Sequence, residues 1–330
     1  MITILEQRQN LRRQQQYTRE TDIYQNNQRN QKRRKNDVLE KEILSKIAVN
    51  LPYFALNNLE ETVDGFFKAN IPIEQPLGCE ISPITAGETS RHLAILGSCA
   101  IANNEKKKSA KNYHLATKAI YKRHLTNVKF EKLFGIAKIE EVNKRTKKAY
   151  TQLINEKQEI ITTLDVEYTL LSKKLFEKQF QDYKIDLRNN NKNLDIQKNR
   201  QNFYTKLLNL PSIENSDDLS FSVDLGVINS DMCMGHFPKY PAFPVAFSAN
   251  IITSLSAVFL KENIIKKNNI KILGKSSVIH AYQLLFAGTD IQIKCRLKNQ
   301  KGNIFTFEAH FLNKENTIIN FHYELIAIST

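Results

Sequence analysis

The sequence of 330 residues lacks several features that mark particular protein classes. No run of eighteen apolar residues is free of polar interruption, so no membrane span is expected. The N-terminus has no apolar h-region, so a secretory signal is not expected either. The four cysteines form no CxxC pair and show no metal-ligand spacing. This favours reduced thiols in a cytoplasmic protein that has no metal site.

Motifs of several common ligand classes are also absent. The chain contains no GxSxG, no P-loop and no GxGxxG. Its net charge of +14 would suit nucleic acid, but no nucleic-acid-binding motif or interleaved aromatic platform occurs. No nucleic-acid partner is therefore predicted. A basic surface attracts an acidic protein partner equally well.

Residues 1–36 form a polar and basic segment, with nine Lys or Arg, three acids and thirteen Gln or Asn. So little apolar surface cannot offset the entropy lost on ordering, which predicts a solvated N-terminal arm, with or without an anionic partner. The rest of the chain suits two domains by length. The Asn-rich polar tract 186–201 is interpreted as a connector or an insertion. The predicted domains are 37–205, which includes this tract, and 206–330.

Both predicted domains show the same order of elements, namely a loop, a buried helix and a series of strands. In the first, a helical pattern at 38–48 and an irregular segment up to residue 83 precede a helix of small and apolar residues at 86–103. In the second, a strand pattern at 219–228 precedes an apolar helix at 245–260. Further strand patterns occur at 114–123, 134–142, 147–156, 158–170, 271–285, 290–299, 303–313 and 317–328. The repeated order predicts an internal duplication.

Residues 235–244, GHFPKYPAFP, form the most informative stretch of the sequence. Three prolines fix φ and prevent a helix, so the loop presents His236 rigidly in front of the apolar helix. An imidazole has its usual pKa near neutral pH and is suited to acid–base chemistry. A structural turn that carries a surface histidine is the simpler interpretation of the same residues.

This stretch resembles the signature GHFPGxPxFPG of the β-hydroxyacyl-ACP dehydratases, which belong to the hotdog-fold superfamily. The matching residues are His236, Phe237, Pro238, Pro241, Phe243 and Pro244. Lys239 and Val245 stand where the signature has glycine. Asn250 stands where the family has its helix carboxylate, and an amide cannot exchange a proton near neutral pH.

The resemblance implies an α+β fold of the double-hotdog type. In this fold, two antiparallel sheets each wrap a long central helix and pair as an intrachain pseudo-dimer. The chain would then be a monomer or a dimer of double hotdogs. The resemblance implies no cofactor of its own, because the substrate would be carried on the phosphopantetheine of an acyl carrier protein or of CoA.

The resemblance also implies two composite sites, each built from the loop of one half and the helix of the other. From its histidine onward, the signature can be laid over residues 78–87 of the first half. Gly78 then takes the histidine position and His92 takes the position of the helix acid. One site would combine His236 with His92, and the other would combine Gly78 with Asn250.

The predicted catalytic residues are therefore His236, as general base, and His92, as its partner across the halves. Glu88, one turn before His92, could orient or charge the imidazole, or could simply complement the helix dipole. Arg91 could bind a phosphate or an acid. Backbone N–H groups at the start of the second helix could polarise the thioester oxygen. The supporting residues are Glu88, Arg91, Phe237, Pro241, Val245, Ala246 and Asn250.

The predicted function is a lyase of the β-hydroxyacyl dehydratase or enoyl hydratase type, acting on acyl-ACP or acyl-CoA in fatty-acid or polyketide-like biosynthesis. Two alternatives stay open. The first is a hotdog thioesterase or acyltransferase. The second is a degenerate dehydratase that binds a carrier protein without catalysis, which the two lost glycines and Asn250 favour.

Overall fold

A computed structural model describes residues 36–105, 111–126, 132–185, 203–207, 209–214, 217–266 and 270–329. The predicted arm, apart from Asn36, and the polar tract 186–201 lie outside these residues. The helices are α1 (36–46), α2 (Ala86–Asn104), α3 (Lys173–Gln179) and α4 (Val245–Phe259), which continues into a π-helical turn at Leu260–Ile265. Short 3-10 turns occur at Gln181–Tyr183, Phe203–Thr205 and Ser230–Cys233.

Eleven strands form one antiparallel sheet in the order β1-β2-β4-β5-β6-β3-β8-β11-β10-β9-β7. Those of the first half are β1 (Asn57–Glu61), β2 (Phe67–Ile71), β3 (Asn112–Arg123), β4 (Leu133–Glu141), β5 (Thr146–Ile154) and β6 (Ile160–Ser172). Those of the second half are β7 (Ser220–Val227), β8 (Ile270–Ala281), β9 (Asp290–Lys301), β10 (Ile304–Asn313) and β11 (Asn316–Ser329).

The strand order of the sheet is symmetric about the junction of the two halves. Strands β2, β4, β5, β6 and β3 of the first half mirror β7, β9, β10, β11 and β8 of the second. The two halves join where β3 pairs with β8, from Lys118 opposite His280 to Lys122 opposite Ser276. All of these strands were predicted except β1 and β2. These two are only five residues long and fall in the segment predicted to be irregular.

Helix α2 packs closely against the sheet of its own half. Thr85 caps the helix by accepting a hydrogen bond from the Glu88 amide at 3.0 Å. A Cβ on Gly97 would lie 2.7 Å from the Ala149 side chain and 2.9 Å from the Tyr168 hydroxyl. Glycine therefore permits a close approach that a larger residue would prevent. The small residues of this helix serve packing, as predicted.

Helix α4 follows Pro244 and packs against the second half. Ser256 lies 2.6 Å from the Tyr323 hydroxyl, and the rings of Phe221 and Phe259 lie 5.0 Å apart. By length and composition, the segment Val245–Ile265 could cross a membrane. However, 61% of its most apolar window is buried within the fold. Burial in a core explains this composition without a bilayer.

Candidate active site

A cavity of about 430 Å³ opens between the two halves. Its walls include Ser90, Ala94 and Ser98 of helix α2 from the first half and residues of the 236–246 segment from the second half. Strands β3, β6 and β8 complete it with mainly apolar side chains. A concave, largely apolar space with a few polar groups is the usual form of a small-molecule site.

The His236 loop is held in place by a segment of the first half. The Asn50 amide donates to the Gly235 carbonyl at 2.8 Å, and the Phe237 amide donates to the Ala48 carbonyl at 3.2 Å. Gly235 has φ +78°, and a Cβ there would lie 2.3 Å from the Asn50 carbonyl oxygen. Only glycine fits this position. Both halves of the molecule therefore hold the loop of His236 in position.

The imidazole of His236 is oriented by its own loop. Its Nδ1 lies 2.7 Å from the carbonyl oxygen of Ala242, which can only accept, so Nδ1 carries the proton. Burial lowers the pKa of His236 to about 4. The ring packs between Tyr53, at 4.8 Å, and Phe237, at 4.2 Å. At neutral pH, His236 is thus a neutral imidazole whose Nε2 is unprotonated and can accept a proton.

The N-terminus of helix α4 lines the same cavity as His236. Val245 and Ala246 both line the cavity, and Pro244 provides no side-chain cap. Their two backbone N–H groups have no acceptor among the residues that the structure describes. The first amides of a helix lack partners within the helix and favour a negatively charged or polarised oxygen. Two such donors in a cavity that also contains an imidazole can hold a carbonyl oxygen while a proton moves.

His92 does not share this cavity, and the predicted pairing with His236 is wrong. The residues of helix α2 that line the cavity include Ser90, Ala94 and Ser98, while His92 is 0% exposed. Residues two apart on a helix are separated by about 200°, so His92 lies on the face opposite Ser90. Ser90, rather than His92, faces the cavity that contains His236.

His92 instead belongs to a buried polar cluster with Glu74, Glu88 and Arg91. The Arg91 guanidinium pairs with the Glu74 carboxylate and lies 3.1 Å from His92 Nε2. His92 Nε2 lies 3.5 Å from the Glu88 carboxylate. Burial and the adjacent Arg91 lower the pKa of His92 well below its usual value, so Glu88 does not charge it. Because a guanidinium only donates, Nε2 of the neutral ring accepts from Arg91, and Arg91 rather than Glu88 orients it.

Arg91 is unavailable to an external phosphate. Its side chain is buried, its guanidinium pairs with Glu74 and it lies over the Tyr204 ring at 5.0 Å. Glu74, Glu88 and His92 each bring a possible metal-ligand atom within 4.8 Å of the others. The same Arg91 nitrogen contacts all three side chains, so the cation of this cluster is the guanidinium itself.

Asn250 and Gly78 both line a second cavity of about 180 Å³. Asn250 donates to the Gln75 side chain at 2.6 Å and accepts from the Thr85 hydroxyl at 3.1 Å. Asn250 and Ser254 line this cavity four residues apart, as Ser90 and Ala94 do in the larger one. Asn250 therefore takes the position in helix α4 that Ser90 takes in helix α2. The predicted alignment paired Asn250 with His92, two residues further along α2.

The remaining predicted residues divide between the cavity and its support. Phe237 lines the cavity with φ +57°. Pro241 is buried outside the lining, and its carbonyl accepts from the Ala287 amide at 2.9 Å. Sequence reasoning missed Tyr53, Ser90, Ser98 and His114. No motif in the sequence marks any of them.

The comparisons with known proteins concern the fold. No protein-family model matches the sequence, and no curated protein matches it significantly. A candidate oleoyl thioesterase from Lactobacillus plantarum is similar in structure, with a TM-score of 0.52 and 9% identity over 80% of this chain and 97% of that one. A hot dog fold protein of unknown function from Alicyclobacillus acidocaldarius gives a TM-score of 0.46 and 10% identity over 84% and 96%. The likeness to the first of these shows the fold alone: the chain has the hotdog fold.

Proposed function

We propose that the protein hydrolyses acyl thioesters in the cavity between its halves, with His236 as the general base. The observation that carries this proposal is a neutral imidazole and two unpaired helix amides whose residues line one cavity, with no Asp or Glu among the lining residues. Thioesterase neighbours of the same fold support this choice over the predicted lyase, although they establish only the fold.

The proposed reaction needs a single proton-transfer group. His236 Nε2 takes a proton from water as the oxygen attacks the thioester carbon. The N–H groups of Val245 and Ala246 stabilise the charge on the carbonyl oxygen. Collapse then breaks the C–S bond and releases a carboxylic acid and a thiol, with the proton returning from His236 to sulfur.

The leaving group favours hydrolysis over dehydration. A thiol with a pKa of about 8.5 departs as a thiolate without an acid catalyst, whereas hydroxide, the conjugate base of water with a pKa of about 15.7, requires protonation. The helix face that could supply such an acid presents Ser90 to the cavity. A serine hydroxyl is a poor proton donor, so the site suits the reaction with the better leaving group.

Dehydration of a β-hydroxyacyl thioester is the second candidate. The HFP residues and the Nδ1 hydrogen bond of His236 favour it, because the same imidazole could abstract an α-proton. His236 would then have to return this proton to the departing hydroxyl. The missing helix acid makes this the less favoured reaction.

The wider architecture is part of the proposal. We propose a double hotdog in which each half of the sheet wraps its helix, with domains at 37–205 and 206–330. The mirrored strand order supports this arrangement. The substrate carrier would be an acyl carrier protein or CoA, both anionic, and the net charge of +14 would attract either. Four free cysteines fit a cytoplasmic location.

Three thioesters separate the proposed activities. Saturated acyl-CoA, 3-hydroxyacyl-CoA and 2-enoyl-CoA of equal chain length are incubated with the protein, and free thiol and enoyl absorbance are followed separately. Hydrolysis predicts thiol release from the saturated compound. Enoyl formation without thiol release would favour the lyase, and neither signal would favour a binding protein without catalysis.

A further inference from the structure

Ser98 and His114 form a hydrogen-bonded polar pair in the lining of the large cavity. Ser98 Oγ lies 2.7 Å from His114 Nδ1, and both residues line the cavity. Ser98 belongs to helix α2 and His114 to strand β3. Ala94, Leu164 and Val166 are further lining residues. Neither residue takes part in the proposed hydrolysis.

The bond that Ser98 makes is not the usual one for a serine inside a helix. Such a hydroxyl commonly bonds to the carbonyl four residues earlier. Ser90 follows this pattern and donates to the Ala86 carbonyl at 2.8 Å. The hydrogen-bond partner of Ser98 is instead the His114 ring on strand β3. The polar atoms of this pair are therefore directed along the cavity surface.

Ser98 is unsuited to act as a nucleophile, although a histidine adjoins it. Acyl transfer to a hydroxyl requires donors for the developing oxyanion. Ser98 lies in the interior of a helix of 19 residues, where backbone amides are already bonded within the helix. The pair can bind an oxygen atom but cannot stabilise a tetrahedral intermediate.

The pair has the hydrogen-bonding capacity to bind a hydroxyl group. Burial lowers the pKa of His114 to about 4, so the ring is neutral near pH 7. If Ser98 donates to Nδ1, then Nε2 carries a proton and the serine oxygen keeps a free lone pair. If Nδ1 donates instead, the serine proton is free and Nε2 accepts. In either tautomer the pair offers one donor and one acceptor, which matches an alcohol.

We propose that Ser98 and His114 form a hydroxyl-binding site, so that the preferred substrate is a thioester whose acyl chain carries a hydroxyl group. This inference rests on the proposed function for the thioester and adds the substrate class. A site built to bond a hydroxyl discriminates against an analogue that lacks it, because the polar pair would face a methylene group without a partner.

The test compares decanoyl-CoA with positional isomers of hydroxydecanoyl-CoA. We expect kcat/KM for at least one isomer to exceed that for decanoyl-CoA by about tenfold, the effect of one satisfied buried hydrogen bond. Ser98→Ala and His114→Phe should each reduce this ratio to near one. The double variant should lose no more than either single variant, since the two residues act as one site. Ser45→Ala, which changes an exposed helical serine, is the matched control and should keep the ratio.

Binding of the free acids separates this inference from the proposed hydrolysis. Decanoic acid and its hydroxylated isomers are titrated into wild-type protein and both variants by calorimetry, with circular dichroism to verify folding. Preferential binding that both variants lose, without any thioester hydrolysis, would support the hydroxyl site and refute the proposed function. Hydrolysis with no preference for any isomer, or a preference that survives both substitutions, would overturn the hydroxyl site.

Discussion

The Nδ1 atom of His236 lies 2.7 Å from the carbonyl oxygen of Ala242, six residues further along the same loop. Because a carbonyl oxygen only accepts, this bond fixes the proton on Nδ1 and leaves the Nε2 lone pair free. Prolines on either side of the acceptor, Pro241 and Pro244, stiffen the backbone that carries it. Residues 236–244 thus set the tautomer of His236 that the proposed catalysis requires.

The pH dependence of activity should reflect this environment. Because His236 must be neutral to act as a base, activity should be lost as the pH falls through its pKa, which burial lowers from 6.5 to about 4. We expect kcat/KM for thiol release to show no acid limb near pH 6.5. The measurement is a pH–rate profile of kcat/KM, with folding verified at each pH. A limb centred near pH 6.5 would contradict the lowered pKa of His236.

Replacing Gly235 should disrupt the loop. A Cβ at this position would lie 2.3 Å from the Asn50 carbonyl oxygen, and φ is +78°. We expect Gly235→Ala to lower the free energy of unfolding by about 2 to 4 kcal/mol and to reduce kcat through misplacement of His236. Denaturant unfolding and thiol-release kinetics measure the two effects.

Gly226→Ala is the matched control for this substitution. Gly226 also has positive φ, at +70°, but no atom lies within 4 Å of an added Cβ. It should cost only about 1 to 2 kcal/mol, the penalty of the left-handed conformation. Equal losses for both variants would show that the contact with Asn50 contributes nothing to the loop.

His92 should matter for stability and not for catalysis. Its ring is buried against Arg91 and lies on the helix face away from the cavity. We expect His92→Asn to lower the free energy of unfolding by about 1 to 3 kcal/mol, because buried polar groups lose their partner. The kcat of the folded variant should change by less than about threefold, roughly the effect of 0.6 kcal/mol on a barrier.

The exposed His322 provides the control, since His322→Asn should change neither quantity. A loss of about a hundredfold in kcat for His92→Asn, with unchanged stability, would instead support the predicted catalytic pair of His236 and His92. Denaturant titrations and initial rates on the same preparations distinguish these outcomes.

The sequence predicted the elements of the fold well because their patterns are strong. The Val245–Phe259 helix is apolar, and long strands such as Asp290–Lys301 alternate clearly between buried and exposed residues. Strands β1 and β2 were missed since five residues give little periodicity. The loop of His236 was identified correctly because prolines and a histidine leave a distinct local signature.

The side chains that line the cavity could not all be predicted, because contacts between the halves leave no local pattern in the sequence. Helix α2 is buried on all sides, including Glu88, Arg91 and His92, so hydrophobic periodicity could not reveal which face meets the cavity. A gapless alignment then placed His92 two residues away from the position that Ser90 occupies. The link between Ser98 and His114 depends on tertiary packing and has no counterpart in the sequence.

The most direct measurement of the central claim is the steady-state rate of thiol release from a saturated acyl-CoA by wild-type protein and by His236→Ala. We expect kcat/KM to fall by about a hundredfold to ten-thousandfold, the contribution of a positioned general base. His124→Ala, which removes an exposed histidine, should retain the wild-type rate. Wild-type thiol release that persists in folded His236→Ala would contradict the account.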